Sequence, residues 1–347
     1  MAPRRTQSGS SNGSSANATF SVAGSSNQLS SVTGALARTY SYDAAGHTSA
    51  YGGVSFTYNA AGRLITAVNG TATSSYIYNA LGQRVQKATA AGSTAFVYDE
   101  SGHLLGEYDG AGNAIQEIVW LGDTPVATVR QEACGLSIFY IHTDHLNTPR
   151  RITRRSTSDV VWSWDSDPFG ATAPNENPSG LGSFSFNLRF PGQYYDAETA
   201  LNYNYHRDYD PATGRYLESD PIGLAGGVNT YAYVRGNPIS LFDTLGLCPS
   251  QEACDAQREA DEEVCRGLPN DTPEEKAIRS RCWNSTTQRY GNCIKNKPLG
   301  PLVTWRETAP IVPSPTTIEA PSPSSAWPAA LLLFLIPWPG NPVYAGF

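Results

Sequence analysis

The chain has 347 residues, a formal net charge of −7 and only 16% charged residues. The negative charge argues against a general nucleic-acid-binding protein, which needs a basic face, so no nucleic-acid partner is expected. The 19 Tyr and 32 Gly residues favour strands joined by tight turns. The composition therefore predicts a mainly β protein.

The first 36 residues are rich in Ser, Asn and Gly. This composition predicts a low-complexity, flexible lead. No secretory signal peptide is visible, because no apolar run follows Arg4 and Arg5.

A repeated pattern runs through residues 37–135. Each copy has an aromatic residue, any residue, Tyr, Asp or Asn, two further residues and Gly. The copies lie at 40–46, 56–62, 76–82 and 96–102, with a shorter echo at 108–112. The two aromatic residues share one strand face, the Asp or Asn begins a turn, and Gly supplies a positive φ. Because one hairpin is only marginally stable, the copies predict β-hairpins that pair side by side.

Longer motifs follow, and they are YIHTDHLNTPR at 140–150, WDSDPFG at 164–170, RFPGQYYD at 189–196 and the block 203–247. The repeat resembles the YD repeat of the Rhs family, and residues 136–247 resemble the Rhs repeat-associated core domain. The resemblance implies hairpins that wind into a spiralling β-shell around a C-terminal cargo, often a toxin. About five hairpins match only a fragment of such a shell.

The core block contains two Asp-x-x-Gly-Leu units, DPIGL at 220–224 and DTLGL at 243–247. The resemblance implies self-cleavage after the second unit, at the Leu247–Cys248 bond, with Asp220 and Asp243 as the catalytic pair. Two close carboxyl groups suit this chemistry, because one stays ionised to activate water while the other keeps a proton to polarise the carbonyl. The activity expected is at most a single-turnover, aspartic-type self-cleavage.

Other interpretations of these aspartates stay open. Asp208 and Asp210 are alternative partners, and Arg207 or Arg215 would lower the pKa of a neighbouring carboxyl by charge proximity. From spacing alone, Asp-Pro and Asp-x-x-Gly favour ordinary turns without catalysis.

Two positions depart from the family pattern. Thr244 stands where Pro is usual, and the loss of a fixed φ there predicts slower cleavage. Ala200 stands where Gly is usual, and a positive φ at that position would strain it.

The segment His142-Thr-Asp144-His145 places two imidazoles and a carboxylate within reach of a metal ion. No further ligands at metal-site spacing accompany it, so a structural role is favoured. No metal and no cofactor are expected.

Five of the six cysteines lie within residues 248–299. Helix signals run from near Ser250 to Gly267 and again from Thr272, which precedes Pro and Glu in an N-terminal cap pattern. Two antiparallel helices would pair Cys254 with Cys293 and Cys265 with Cys282. The sequence therefore predicts a small helical hairpin with two disulfides in an oxidising compartment.

Residues 300–347 predict a disordered Pro-rich linker and an apolar tail. The apolar run 329–336 is too short to span a bilayer, although association of this run with a membrane surface stays open.

Three functional hypotheses follow. The first is a self-cleaving shell segment whose partners are its own C-terminal extension as cargo, secretion-apparatus components and an immunity protein. It would be secreted or displayed on the cell surface by a specialised secretion system after a cytoplasmic stage. The second is a non-catalytic surface, adhesion or carbohydrate-binding module. The third places toxin activity in residues 248–347.

Overall fold

The computed structural model describes residues 5–11, 14–24, 26–132, 135–247, 251–294 and 301–304. All of them belong to one unit that spans residues 1–304. The described residues form a 16-stranded antiparallel sheet, in which each strand pairs with the next along the chain, and a second sheet of four strands. The expected mainly β architecture of successive hairpins is confirmed.

The large sheet contains β1 (Arg5–Ser11), β2 (Ser14–Val22), β3 (Leu29–Gly34), β4 (Arg38–Tyr42), β5 (Thr48–Tyr51), β6 (Val54–Tyr58), β7 (Leu64–Asn69), β8 (Ala72–Tyr78), β9 (Arg84–Thr89), β10 (Gly92–Tyr98), β11 (Leu104–Asp109), β12 (Ala114–Leu121), β13 (Thr124–Glu132), β14 (Gly135–Thr143), β15 (Pro149–Arg154) and β16 (Val160–Ser163). The small sheet contains β17 (Tyr194–Asp196), β18 (Leu201–Asn204), β19 (Arg207–Asp210) and β20 (Arg215–Tyr216). The helices are α1 (Gln251–Gly267) and α2 (Pro273–Ile294), and short 3-10 turns lie at Gly223–Gly226 and Val234–Gly236.

The repeated Asp or Asn closes each hairpin with its own side chain. Asn79 Oδ1 accepts hydrogen bonds from the backbone N–H groups of Leu81 and Gln83, both at 3.0 Å. Gly82 donates its N–H to the Asn79 carbonyl at 3.0 Å and has a φ of +79°. The same side-chain bonds recur at Asp43, Asn59, Asp99 and Asp109. The turn is thus encoded locally, which explains its regular spacing.

A sixth copy of this turn lies at Asp144, in the segment for which the sequence favoured a structural role over a metal site. Asp144 Oδ1 accepts the N–H groups of Leu146 and Thr148, and Asn147 takes the place of Gly with a φ of +64°. His145 Nε2 lies 2.9 Å from the Ile239 carbonyl. Among the described residues no group of three or more His, Cys, Asp or Glu side chains is arranged to hold a metal ion.

The repeated Tyr joins each hairpin to the one before it. Tyr78 donates its hydroxyl to the Leu64 carbonyl at 2.7 Å, and Tyr98 donates to the Arg84 carbonyl at 3.0 Å. Tyr58 makes the corresponding bond to the Thr48 carbonyl at 2.7 Å. These bonds lie beside the one-residue bulge that each strand makes at its Tyr. The Tyr therefore stabilises contacts between neighbouring hairpins.

Replacing Tyr78 with Phe is expected to lower the free energy of unfolding by about 1–3 kcal/mol, because the Leu64 carbonyl loses its partner in a buried setting. Urea denaturation followed by tryptophan fluorescence measures the change. Tyr140→Phe is the control, since Tyr140 is half exposed, and it should change the stability by less than about 0.5 kcal/mol. Equal effects of the two substitutions would contradict this role of Tyr78.

The structure corrects the interpretation of residues 1–36 as a flexible lead. Strands β1, β2 and β3 occupy much of this segment and extend the large sheet. Phe20, Leu29 and Val32 are buried in a cluster of their own. The residues between them are mostly small or polar, Ser above all, so the composition of the segment is polar although these three side chains are buried.

The large sheet also crosses the expected boundary at residues 135/136, because β14 pairs with β13 across it. The main apolar core lies between the strands from β10 onward and the segment that leads into the small sheet. Trp162, Trp164, Phe139, Phe186 and Tyr209 are almost fully buried there. This core fixes the small sheet, which carries the candidate site.

None of the helices within the described ranges has the length and apolar character that a membrane span requires. The expected linker and tail lie outside the described residues, apart from residues 301–304.

Candidate functional site

A single buried guanidinium joins the two Asp-x-x-Gly-Leu units. Arg207 Nη2 lies 2.9 Å from Asp220 Oδ2 and 3.5 Å from Asp243 Oδ2. All three side chains are at most 3% exposed. The structure thus brings together two carboxyl groups that are 23 positions apart in sequence, as the resemblance implied, and it supplies the cation that reduces their mutual repulsion.

Asp220 holds a proton more readily than an exposed carboxyl does. Burial raises its pKa to about 6, against the lowering effects of Arg207 and of the Ile222 N–H that donates to its Oδ1 at 3.0 Å. Gly226 packs closely on this carboxyl, since a Cβ at that position would lie 2.3 Å from Asp220 Oδ2. The close backbone approach helps to keep water away from the group.

Asp243 is fully buried, and both oxygens of its carboxyl group accept hydrogen bonds. Tyr216 donates its hydroxyl to Oδ2 at 2.8 Å, and Leu247 donates its N–H to Oδ1 at 3.1 Å. Asn204 donates to the Asp243 carbonyl at 2.9 Å and to the Tyr216 oxygen at 2.7 Å. The Asp243 carboxyl group therefore contacts Leu247, the residue that supplies the carbonyl group of the expected scissile bond.

The loop that carries this bond is held by backbone contacts. Arg207 Nε donates to the Gly246 carbonyl, and Gly246 has a φ of +67°. A Cβ at Gly246 would lie 2.5 Å from the Asn204 carbonyl oxygen, and one at Gly192 would lie 2.1 Å from that of Thr244. The second unit thus sits in a groove that only glycine backbones allow. The close contact with Gly192 helps to position the backbone of Thr244, which lacks the fixed φ that a Pro would have.

Asp208, an alternative partner, belongs to a different carboxyl pair. Side chains alternate along β19, so Asp208 lies on the face opposite Arg207. Glu218 Oε2 accepts the Asp208 N–H at 2.8 Å, and both side chains are buried. Burial raises the pKa of Asp208 to about 7 and that of Glu218 well above its usual range.

Sequence reasoning missed Glu218 and Tyr216. Both residues lie in the motif RYLESD at 215–220, beside Asp220, but strand β20 covers only its first two residues, so no strand periodicity marks them. Their partners also lie on segments distant in sequence.

The other two expected residues make contacts elsewhere. Asp210 pairs with Arg38 at 2.9 Å and accepts the Ala212 N–H in a turn. Arg215 donates to the Asn27 carbonyl and lies over the Tyr231 ring. Ala200 adopts the strained conformation that the family pattern suggested, with a φ of +57°.

The helical hairpin contains both expected disulfides, Cys254–Cys293 and Cys265–Cys282. They close loops with sequence separations of 39 and 17 residues. In the chain-entropy model, such loops contribute about 4 and about 3 kcal/mol of stability. Cys248, on the far side of the expected scissile bond, lies outside the described residues.

Comparison with curated proteins finds toxins among the relatives. The chain is 40% identical over 110 residues to "Toxin protein Tse5" of Pseudomonas aeruginosa, and the aligned region covers 32% of this chain and 8% of that protein. It is 38% identical over 113 residues to "Double-stranded DNA deaminase toxin A" of Burkholderia cenocepacia, which covers 33% of this chain and 8% of that protein. The matched part is thus less than a tenth of either toxin.

Among solved structures, the chain is similar to the crystal structure of TcdB2-TccC3. The TM-score is 0.50 at 21% identity, over 67% of this chain and 12% of that one. This likeness concerns the fold alone. The family model described as Teneurin YD-shell matches residues 12–238, which is more than half of the chain. The chain therefore belongs to the Teneurin YD-shell family and is an Rhs/YD-repeat protein.

Proposed function

We propose that this chain is the C-terminal part of an Rhs-type shell protein and that it cleaves itself once, between Leu247 and Cys248. The observation that carries the proposal is the buried bridge of Arg207 to Asp220 and Asp243, with Asp243 hydrogen-bonded to the Leu247 N–H. Aspartic hydrolysis needs one carboxyl group as acid and another as base, and the two that Arg207 holds together can fill these roles because burial raises the pKa of Asp220 to about 6.

In this mechanism Asp220 is the acid and Asp243 is the base. The Asp243 carboxylate takes a proton from water while the water oxygen bonds to the Leu247 carbonyl carbon. Asp220 gives its proton to the carbonyl oxygen. Asp243 then passes its proton to the Cys248 nitrogen as the C–N bond breaks, and Asp220 recovers a proton from the diol. At the end Asp220 is again protonated and Asp243 again ionised, and the one water consumed has supplied the new carboxyl oxygen and the proton on the Cys248 nitrogen.

Arg207 is a positioning residue in this mechanism. It holds both carboxyl groups and the Gly246 carbonyl, so the acid, the base and the scissile segment share one anchor. The buried setting strengthens each of these interactions and limits the reaction to a peptide already in place. A segment held in this way suits a single self-cleavage rather than turnover.

The proposal extends to the fate of the product. The toxin names of the relatives support residues 248–347 as a cargo whose export requires secretion-apparatus components and an immunity partner in the producing cell. The proposal includes delivery outside the cell after a cytoplasmic stage. The described hairpins form one open run of strands, so enclosure of a cargo needs further shell from a longer protein or a partner.

The alternative of a carbohydrate-binding module has less support. Tyr58, Tyr78 and Tyr98 use their hydroxyls to join hairpins. These rings therefore serve the sheet rather than a sugar-binding surface.

The rate of self-cleavage is expected to fall as the pH rises through about 6, because the acid form of Asp220 is lost there. Between pH 6 and pH 8 the protonated fraction of Asp220, and with it the rate, drops by about fiftyfold. Radiolabelled chain made by a short pulse of cell-free translation is shifted to buffers across this range, and the intact band is followed over time. A rate that increases with pH over this range would rule out Asp220 as the proton donor.

A further inference from the structure

The interior of the helical hairpin contains almost no hydrophobic side chains. Among the side chains that the structure describes between Cys254 and Cys293, the buried ones are those of the four bonded cysteines and of Asp261, Ser285 and Thr286. Val264, the largest aliphatic residue of α1, is about half exposed. The interface between α1 and α2 is therefore built on sulfur and polar groups.

The polar contacts of the hairpin do not replace an apolar core. Asp261 pairs with Arg289 at 2.7 Å, and Tyr290 donates its hydroxyl to Asp255 at 2.8 Å. Ion pairs of this kind contribute little net stability, because desolvation offsets most of their attraction. In proteins most of the stability of a helix comes from packing of its apolar face, and the buried residues of these helices, of 17 and 22 residues, are cysteines and polar residues.

We propose that the hairpin is an oxidation-dependent folding module, unfolded while its four cysteines are thiols and folded once both disulfides form. Small units that cannot bury an apolar core depend on such covalent links. The inference goes beyond self-cleavage and holds whether or not the chain cuts itself. It makes the hairpin, residues 251–294, flexible in a reducing compartment and compact at an oxidising destination.

Each disulfide forms by exchange with an oxidant that is itself a disulfide, either glutathione disulfide or the active site of a thiol oxidoreductase. One cysteine thiolate attacks the oxidant, which releases one thiol and leaves a mixed disulfide. The second cysteine attacks the mixed disulfide and releases the second thiol. Two cysteines are oxidised and one oxidant disulfide is reduced, and the two cysteine protons end on the released thiols.

Limited trypsin digestion of the full chain, with and without a phosphine reductant, tests the proposal. Arg258 and Lys276 offer exposed cleavage sites on the two helices, whereas Lys87 lies in β9. Reduction is expected to speed cleavage at Arg258 and Lys276 by at least about a hundredfold, as the loss of two cross-links implies. Cleavage at Lys87 should stay unchanged. Maleimide labelling counts the free thiols in each sample.

A variant with Cys254, Cys265, Cys282 and Cys293 replaced by Ser should be cut rapidly with or without reductant. The same digestion in the Asp220→Asn background separates this inference from self-cleavage, because the dependence on reductant should be the same there. Slow cutting of the fully reduced hairpin, or of the four-Ser variant, would overturn the proposal.

Discussion

Replacing Asp220 with Asn is expected to slow cleavage at Leu247–Cys248 by at least about a hundredfold, the range that general acid catalysis contributes. Asn has the shape of Asp but carries no transferable proton, whereas burial raises the pKa of Asp220 to about 6, so that it keeps a proton below about pH 6. The amide can still face Arg207, which keeps Asp243 as its ion partner. Far-ultraviolet circular dichroism should therefore match that of the parent chain.

The matched control is Asp165→Asn. Asp165 also pairs with an arginine, Arg151, at 2.9 Å, but its side chain is 78% exposed. The Asp165→Asn chain should cleave itself at the same rate as the parent chain. Asp243→Asn should resemble Asp220→Asn, because the base is lost in place of the acid. Unimpaired cleavage in both Asn variants would remove these two residues from the mechanism.

The largest loss of stability is expected from Arg84→Met. Arg84 and Asp196 form a buried pair with contacts of 2.5 and 3.0 Å, and the guanidinium lies 4.4 Å from the centre of the Tyr203 ring. Removing the cation leaves a buried carboxylate with Lys87 as its remaining basic partner. Breaking one side of such a pair costs about 3–5 kcal/mol.

Urea denaturation measures this loss, provided that the dependence of the free energy of unfolding on urea concentration is the same in the variant and the parent chain. Arg151→Met is the control, since its ion pair is exposed and contributes less than about 1 kcal/mol. Arg84→Met combined with Asp196→Leu should recover part of the stability, because no buried charge is then left alone. A loss below about 1 kcal/mol for Arg84→Met would show that Arg84 does not anchor the small sheet on the large one.

The repeated hairpins were predictable because their information is local. An Asp or Asn that bonds two following N–H groups, with Gly at the left-handed position, specifies the same turn at each copy. The copy at Asp144 was missed because Asn147 adopts the left-handed conformation in place of Gly. Asn tolerates that conformation better than most residues do.

The candidate site was predictable only in part. The resemblance supplied Asp220, Asp243 and the bond after Leu247, but the sequence did not indicate which basic residue would join them. Arg207 was one of two candidates, and the structure distinguishes it from Arg215 through contacts across long sequence separations. The Asp208–Glu218 pair likewise depends on how β19 meets the segment after β20.

The strands of the lead were missed for a compositional reason. A Ser-rich segment gives only a weak indication of strands when its apolar residues are as sparse as Phe20, Leu29 and Val32. Pairing with the neighbouring hairpin, rather than intrinsic preference, supports such strands.

The mass of the purified full-length chain is the most direct test of self-processing. Expression in a host without added protease is predicted to yield two polypeptides, one ending at Leu247 and one beginning at Cys248. Their masses should add up to that of the intact chain plus one water. An intact chain of unchanged mass, correctly folded by circular dichroism and held at pH 6, would contradict the account.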